Sequence, residues 1–235
     1  MSELAGDRVG ERRSRVVSGQ AVGMERTGRP ASLFDRWSMR YDRRGLQLAT
    51  YRPVHDAVLG RLQHSNPSVV VDLGCGTGQL THRLIRMFPA ATIVGVDLSE
   101  GMLTQAGRRL SVLGNGARHL VRADAQQLPF AVSSVDVVVC TESFHWYRDQ
   151  AEALSELARV LHPGGRLLIA SIATMTSVGD RLLRGVTVSG STVRARPPHH
   201  MRSLLSHAGF EVIYQRRVPR LGPIVWPVLS DARRR

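Results

Sequence analysis

Val69-Val70-Val71-Asp72-Leu73-Gly74-Cys75-Gly76-Thr77-Gly78 is the stretch that decides the fold. Its apolar, β-branched start reads as a buried strand, which stops at an acid followed by three alternating glycines. Leu80, Leu84, Ile85 and Phe88 then recur at helical spacing, so the stretch predicts strand, glycine turn and helix. Such a turn lets backbone approach a ligand closely, and the first helical N–H groups point at any anionic group held there. The acid at the strand end, Asp72, implies that the same ligand carries something cationic or rich in donors.

The alternation continues outward from this unit. Strands are expected at 69–73, 92–97, 118–122, 135–141, 166–172, 210–217 and 222–229, with helices near 77–88, 100–112, 149–161 and 198–208. That order implies an α/β fold, with a Rossmann-like, seven-stranded, mostly parallel sheet covered by helices on both faces. Upstream, residues 33–62 are helical in pattern, with Phe34, Trp37 and Tyr41 at three- and four-residue spacing and Pro53 opening a second helix. Residues 1–30 are rich in Arg, Gly and Ser without sustained apolar period and are expected to be disordered, with Met24 a plausible alternative start. The rest, 31–235, reads as a single domain: helices over 31–66, a core over 67–172, a variable small and polar connection over 173–197, and a C-terminal helix and strands over 198–235. Long connections of that kind are usually lids or substrate loops.

Composition narrows the chemistry. Two cysteines, Cys75 and Cys140, exclude a disulfide scaffold and fit a reducing cytoplasm. No apolar run approaches the roughly 18–20 residues of a membrane span, so a cytoplasmic protein is expected. The formal charge is +13, and all 32 basic residues are arginine. So one-sided a choice reads first as coding bias, and second as a preference for anionic partners. Without lysine, the chain has no Walker-type P-loop, pyridoxal-phosphate Schiff base or lysine-dependent kinase chemistry.

Two further acids extend the pattern. Asp97 ends the strand Thr92-Ile93-Val94-Gly95-Val96, one strand–helix–strand unit after Asp72, and Asp124 follows Arg118-His119-Leu120-Val121-Arg122-Ala123. An acid at the second strand's end typically grips ribose hydroxyls, and three carboxylates at successive strand ends line one crevice at the carboxyl edge of the sheet. A nicotinamide or flavin dehydrogenase is the main rival. Its G-x-G-x-x-G fingerprint needs glycine where Gln79 stands, whereas this chain has G-x-G-x-G.

At this point the chain resembles the class I S-adenosylmethionine-dependent methyltransferases of type 11, and more narrowly the ubiquinone/menaquinone-biosynthesis methyltransferases. Val71 to Gly78 matches their first motif, and Gly95-Val96-Asp97-Leu98-Ser99-Glu100-Gly101-Met102-Leu103 the next. Arg122-Ala123-Asp124-Ala125-Gln126-Gln127-Leu128-Pro129-Phe130 matches the adenine-side motif. Val135 to Cys140 and Leu161 to Leu168 match the later two, and Phe34-Asp35-Arg36-Trp37 with Tyr41-Asp42 resembles the N-terminal lid.

The resemblance implies that S-adenosyl-L-methionine is the cofactor and that a small-molecule acceptor is methylated on oxygen or carbon. It implies that Asp72 and the backbone of Gly74 and Gly76 hold the methionine end, with Gly78 allowing close packing. Asp97 takes the ribose hydroxyls, Leu98 and Met102 sandwich the adenine, and Asp124 with Ala125 reads its polar edge. Tyr41 closes as part of the lid, and Thr141 with the segment up to Tyr147 sits beside the methyl group. There His145 is the candidate base, because its ordinary pKa lies near operating pH; Glu142 is the alternative. His145 can equally serve as a core histidine bonded to a carbonyl.

Other partners are set lower. The N/D-P-P-Y motif of nucleic-acid amino-methylating enzymes is replaced by Thr141-Glu142-Ser143-Phe144, and neither cysteine follows a proline as cytosine-C5 chemistry needs. Arginine-rich ends such as Arg233-Arg234-Arg235 read as solvated tails, and His199-His200 as a loop rather than a metal site. A non-catalytic S-adenosylmethionine-binding protein is the alternative function; an RNA methyltransferase or NAD-dependent dehydrogenase ranks behind it.

Overall fold

The computed structural model describes residues 50–113, 119–174, 178–179, 187–188, 191–219 and 225–235. The basic N-terminal stretch, Met24 and the lid positions Phe34, Trp37 and Tyr41 lie outside the described residues. Description begins with α1, Arg52–Leu62, which has proline in its first turn and buries Val54, His55, Val58 and Leu62 along one face.

The strand of the opening stretch is β1, Val69–Leu73, buried at every position, as expected of a central parallel strand. It is followed by α2 (Gln79–Met87), β2 (Thr92–Asp97), α3 (Glu100–Leu110), β3 (His119–Arg122) and β4 (Val135–Thr141). The second half runs α4 (Gln150–Val160), β5 (Leu161–Thr174), a short hairpin of β6 (Thr187–Val188) and β7 (Ser191–Thr192), α5 (Pro198–His207), β8 (Phe210–Arg217) and β9 (Val225–Arg234). Side chains fix two helix starts. Ser99 accepts from Met102 N–H to open α3, and Asp149 accepts from Ala151 and Glu152 N–H to open α4.

The main sheet has seven strands in the order β3-β2-β1-β4-β5-β9-β8. Strands β1 to β5 pair in parallel, and β9 runs antiparallel to both β5 and β8. One face packs α1, α2 and Leu110 of α3 against Val70, Ile93, Val137, Val139, Leu168 and Ala170. The other packs α4 and α5 against Val71, Val138, Cys140, Leu167 and Ile169. The mostly parallel α/β sheet with helices on both faces is therefore what the chain forms.

Several boundaries differ from the sequence reading. α2 starts at Gln79 rather than 77, because Gly78 is in the left-handed region at φ 75° and only then does the helix begin. α3 ends at Leu110, with one 3₁₀ turn over Ser111–Leu113. β5 starts at Leu161, not 166: Val135 pairs with Leu161 and Val137 with Arg166, so His162–Gly165 bulge out between them. The last strand occupies Val225–Arg234, where its register is set by nine consecutive pairs with β5 from Thr174 to Arg166. Within the connection placed at 173–197, the described residues include the β6–β7 hairpin and a segment in which Val193 and Ala195 are buried.

Candidate functional site

In a sheet of this order the chain leaves β1 to one side for β2 and later returns on the other side as β4. The crevice at such a switch point, outside the carboxyl ends of the strands, is where open α/β sheets bind ligands. A cleft lies there, lined by Gly74, Cys75, Gly76 and Thr77 of the turn, Gln79 and Leu80 of α2, Thr141 of β4, and Tyr51 and His55 at the start of α1.

The turn is built by glycine. Gly74 and Gly76 have φ of 70° and 54°, a region that side chains rarely adopt. Its backbone is tied to β2, with Gly74 N–H donating to Val96 O at 2.7 Å and Cys75 N–H to the same oxygen at 3.0 Å. A Cβ on Gly74 would overlap the Ser143 side chain, whereas one on Gly76 would meet nothing within 4 Å. Gly76 thus faces open space, the approach a ligand would take. A Cβ on Gly78 would come 3.0 Å from the Ala106 Cβ, so a side chain there would crowd α3.

Asp72 lies beneath this turn, 1% exposed. Its Oδ2 accepts from the Thr81 hydroxyl at 2.6 Å, while Oδ1 is buried without a hydrogen-bond partner. Burial pushes its carboxyl up to about 7, against the Thr81 hydrogen bond and with the Asp97 charge adding to the rise. An orphaned, buried carboxylate oxygen is costly unless a donor or cation arrives.

Asp97 does something the sequence did not reveal. Its Oδ2 accepts from Gly76 N–H at 2.8 Å and its Oδ1 from Ser99 N–H at 2.9 Å, so it braces the glycine turn and the entry to α3. Leu98 is half-buried and Met102 is buried. Asp124 is exposed and accepts from Gln126 N–H at 3.0 Å, while Ala125 beside it is buried. Of the expected ligand residues, Gly74, Gly76 and Thr141 line the cleft together; Asp72, Gly78, Asp97, Leu98, Met102, Asp124, Ala125 and His145 are outside its lining. Tyr41 lies outside the described residues.

His145 is buried in a single 3₁₀ turn, Phe144–Trp146, after β4. Its carbonyl accepts from Arg194 N–H at 2.8 Å, and its ring centroid lies 5.0 Å from that of Trp146. Gln150 ties the same region down, donating from Nε2 to Phe144 O at 3.1 Å and to Arg194 O at 3.0 Å, while Arg196 Nε donates to Gln150 Oε1 at 2.6 Å. The end of the variable connection is thereby fastened onto the turn that carries His145.

Sequence reading missed Tyr51 and His55, because they belong to a helix far from the motifs. His55 is buried, and burial with the nearby Arg83 charge pulls its imidazole down to about 4, so it is neutral near pH 7. Glu142, directly after β4, has φ 56°, a strained setting for a non-glycine residue. Ser143, Cys140 and Tyr147 form a knot under the turn: Ser143 Oγ donates to Leu73 O at 3.2 Å and contacts Cys140 Sγ at 3.1 Å and Tyr147 Oη at 3.3 Å. Burial raises the Cys140 thiol to about 11 and lifts the Tyr147 phenol well above its ordinary value, so both stay protonated. Among the described residues no cluster suits a metal ion, and no helix is long and apolar enough to cross a membrane.

Comparison with known proteins bears on the family and the fold. A family model described as methyltransferase domain matches residues 71–169. The chain is 35% identical to malonyl-[acyl-carrier protein] O-methyltransferase of Hahella chejuensis over 62% of its own length and 50% of that protein. It is 32% identical to demethylmenaquinone methyltransferase of Thermus thermophilus over 63% of its length and 77% of that protein. It spans about half the length of the malonyl-[acyl-carrier protein] methyltransferases it matches. Among solved structures, Burkholderia thailandensis 1,6-didemethyltoxoflavin-N1-methyltransferase, with bound 1,6-didemethyltoxoflavin and S-adenosylhomocysteine, superposes with TM-score 0.70 at 19% identity, covering 87% of this chain and 86% of that one.

Proposed function

The chain belongs to the methyltransferase-domain family, and from that premise we propose that it transfers a methyl group from S-adenosyl-L-methionine to a small-molecule acceptor, on oxygen or carbon. The observation that carries this reading is Asp72 Oδ1: a buried, unpartnered carboxylate oxygen beneath a glycine turn whose Gly76 is open to a ligand. The fit is chemical. An α-ammonium supplies the donor Asp72 lacks, backbone N–H groups at the start of α2 suit an α-carboxylate, and an acid at the end of the second strand, Asp97, suits ribose hydroxyls.

Bound S-adenosylmethionine supplies an electrophilic methyl on a sulfonium, so transfer is an in-line displacement. The protein's part is alignment and exclusion of water. Gly74 to Thr77 and Thr141 form the floor of the cleft, and Tyr51 and His55 close it from α1. His55, held neutral, offers one donor and one acceptor. His145 is the candidate to take a proton from a hydroxyl or carbon acceptor; a carboxylate acceptor has none to give. In H145A, turnover of such a protic acceptor falls while affinity for S-adenosylhomocysteine is unchanged; unaltered turnover removes His145 as base. The relatives reported above are named for malonyl-[acyl-carrier protein] and demethylmenaquinone, so the acceptor class spans acids and quinones.

The test is thermal unfolding with S-adenosylmethionine, S-adenosylhomocysteine and NAD in parallel. A ligand at about 100 times its Kd stabilises by about 2.7 kcal/mol, a rise of roughly 5–10 °C for a domain of this size. A rise with both sulfur ligands and none with NAD is expected. A rise with NAD alone overturns the reading. Binding of the sulfur ligands without turnover of any acceptor, measured as S-adenosylhomocysteine release, favours a non-catalytic binding protein.

A further inference from the structure

Among the described residues, two of the buried polar atoms without a hydrogen-bond partner share one row of the sheet: Ser171 Oγ and Arg217 Nη1. Ser171 of β5 pairs in register with Val228 of β9, and Arg217 of β8 pairs with the same Val228. Residues directly opposite one another on neighbouring strands present their side chains on one face. The hydroxyl and the guanidinium therefore share a face, with Val228 as an apolar floor between them. Two interstrand spacings, about 10 Å, separate their backbones, and the long arginine stem spans much of that.

The next row identifies the face. Gln215 Nε2 donates to Ser230 Oγ and to Pro198 O at the start of α5, each at 3.0 Å. Tyr214 turns the other way, where Arg61 of α1 stacks on its ring at 4.5 Å. Arg217, two residues beyond Gln215, thus returns to the α5 side. Ser171, two beyond Ile169 of the cluster that includes α4 and α5, does the same. The Gln215 row is closed, because Arg202 Nη2 also donates to Gln215 Oε1 at 3.3 Å. The Ser171–Arg217 row has two donors and nothing to receive them.

Its place on the sheet is informative. Arg217 ends β8, which runs parallel to β5 because both pair antiparallel with β9. Both donors therefore lie toward the carboxyl edge that holds the cleft. Thr141, which lines the cleft, pairs with Ala170, the residue before Ser171, so the row meets the same edge of the sheet from the opposite, α4–α5 face. A guanidinium is always charged, so what completes it is an anion. One fixed positive charge plus one neutral donor matches a singly charged group with two oxygens; a phosphate dianion would need more donors.

We propose that Ser171 and Arg217 form a subsite for a carboxylate of the methyl acceptor, the guanidinium and the hydroxyl each donating to it across Val228. This rests on the methyltransferase reading for the word acceptor, but not for the anion. Two orphaned donors are a cost the fold bears when nothing is bound, and a carboxylate removes it.

The experiment is calorimetric titration of the full chain with malonate and with trans-aconitate, each with and without saturating S-adenosylhomocysteine. Dimethyl malonate and inorganic phosphate are the comparison arms. Either carboxylate is expected to bind and the ester not. R217Q weakens carboxylate binding about tenfold or more, the scale of one charge-assisted hydrogen bond. R217K, which keeps charge but not the fork, falls between, and S171A weakens it severalfold. Affinity for S-adenosylhomocysteine stays constant throughout. Without ligand, R217M and S171A should unfold at the same temperature as the native sequence or higher, since each removes an orphan; a structural arginine would show the reverse. Carboxylate binding unchanged in R217Q, absent in the native chain, or weaker than phosphate binding overturns the subsite, as does a lowered unfolding temperature in R217M. Arg217-dependent carboxylate binding with no binding of S-adenosylhomocysteine supports the subsite and overturns the methyltransferase reading.

Discussion

At neutral pH the Asp72 carboxyl is close to half-protonated, because burial costs its charged form more than the Thr81 hydroxyl returns. Its folded value, about 7, lies above the ordinary 3.8. The stability it contributes is therefore full below about pH 3.8 and is lost as pH rises through 7. An ammonium brought to the orphaned Oδ1 reverses the preference and favours the charged form. Binding of S-adenosylhomocysteine at pH 6 is thus expected to expel close to one proton, and almost none above pH 8. Calorimetry in buffers of differing ionisation enthalpy measures this directly. D72N should release no proton at either pH and bind more weakly; equal proton release in D72N would assign the proton to another group.

The glycine turn and the loop after β4 behave as one element, since Ser143 donates to Leu73 O and occupies the space a Gly74 side chain would need. G74A therefore carries both a backbone penalty and an overlap, about 2–4 kcal/mol together. The double variant G74A/S143G should recover the overlap part in urea unfolding. G76A is different in kind. Nothing lies within 4 Å of its added carbon, so stability falls by only about 1 kcal/mol while the open approach is blocked. Its expected signature is a near-native unfolding temperature with at least about tenfold weaker binding of S-adenosylhomocysteine. Parallel losses of stability and affinity in both variants would show that the turn has no separate ligand face.

Among the described residues, several arginines tie elements together across the molecule. Asp231 of β9 is fully buried and receives Arg61 of α1 at 2.9 Å and Arg166 of β5 at 2.5 Å. Arg159 holds Glu156 and the carbonyls of Phe130 and Leu128, and Arg109 grips Thr77 at the turn by its carbonyl at 2.6 Å and its hydroxyl at 2.8 Å. These described arginines are therefore engaged within the fold. D231A leaves two guanidinium groups without their shared acceptor. Both are partly exposed, with 35% and 18% of the side chain accessible, so the loss should sit near the low end for a broken buried pair, about 3 kcal/mol. Urea unfolding checks it; a loss under about 1 kcal/mol would mean that packing alone docks α1.

What the sequence determined by itself was local and periodic. The β-branched run of β1, the alternating glycines and the strand–helix repeat specify elements and their order, because burial on both faces and positive φ leave direct marks on residue choice. Strand ends were legible only approximately: the bulge at His162–Gly165 and the shift of β9 to Val225–Arg234 are set by pairing partners distant in sequence. The site divides the same way. Gly74, Gly76 and Thr141 could be read from motifs, but Tyr51 and His55 reach the cleft from a helix that no motif marks. Only the tertiary structure decided that Asp97 braces Gly76, that Asp72 is left with an unmet oxygen, and that Ser171 and Arg217 share a row. Each depends on the register and burial of segments far apart in the chain, and those are settled by packing across the sheet rather than by any residue's neighbours in sequence.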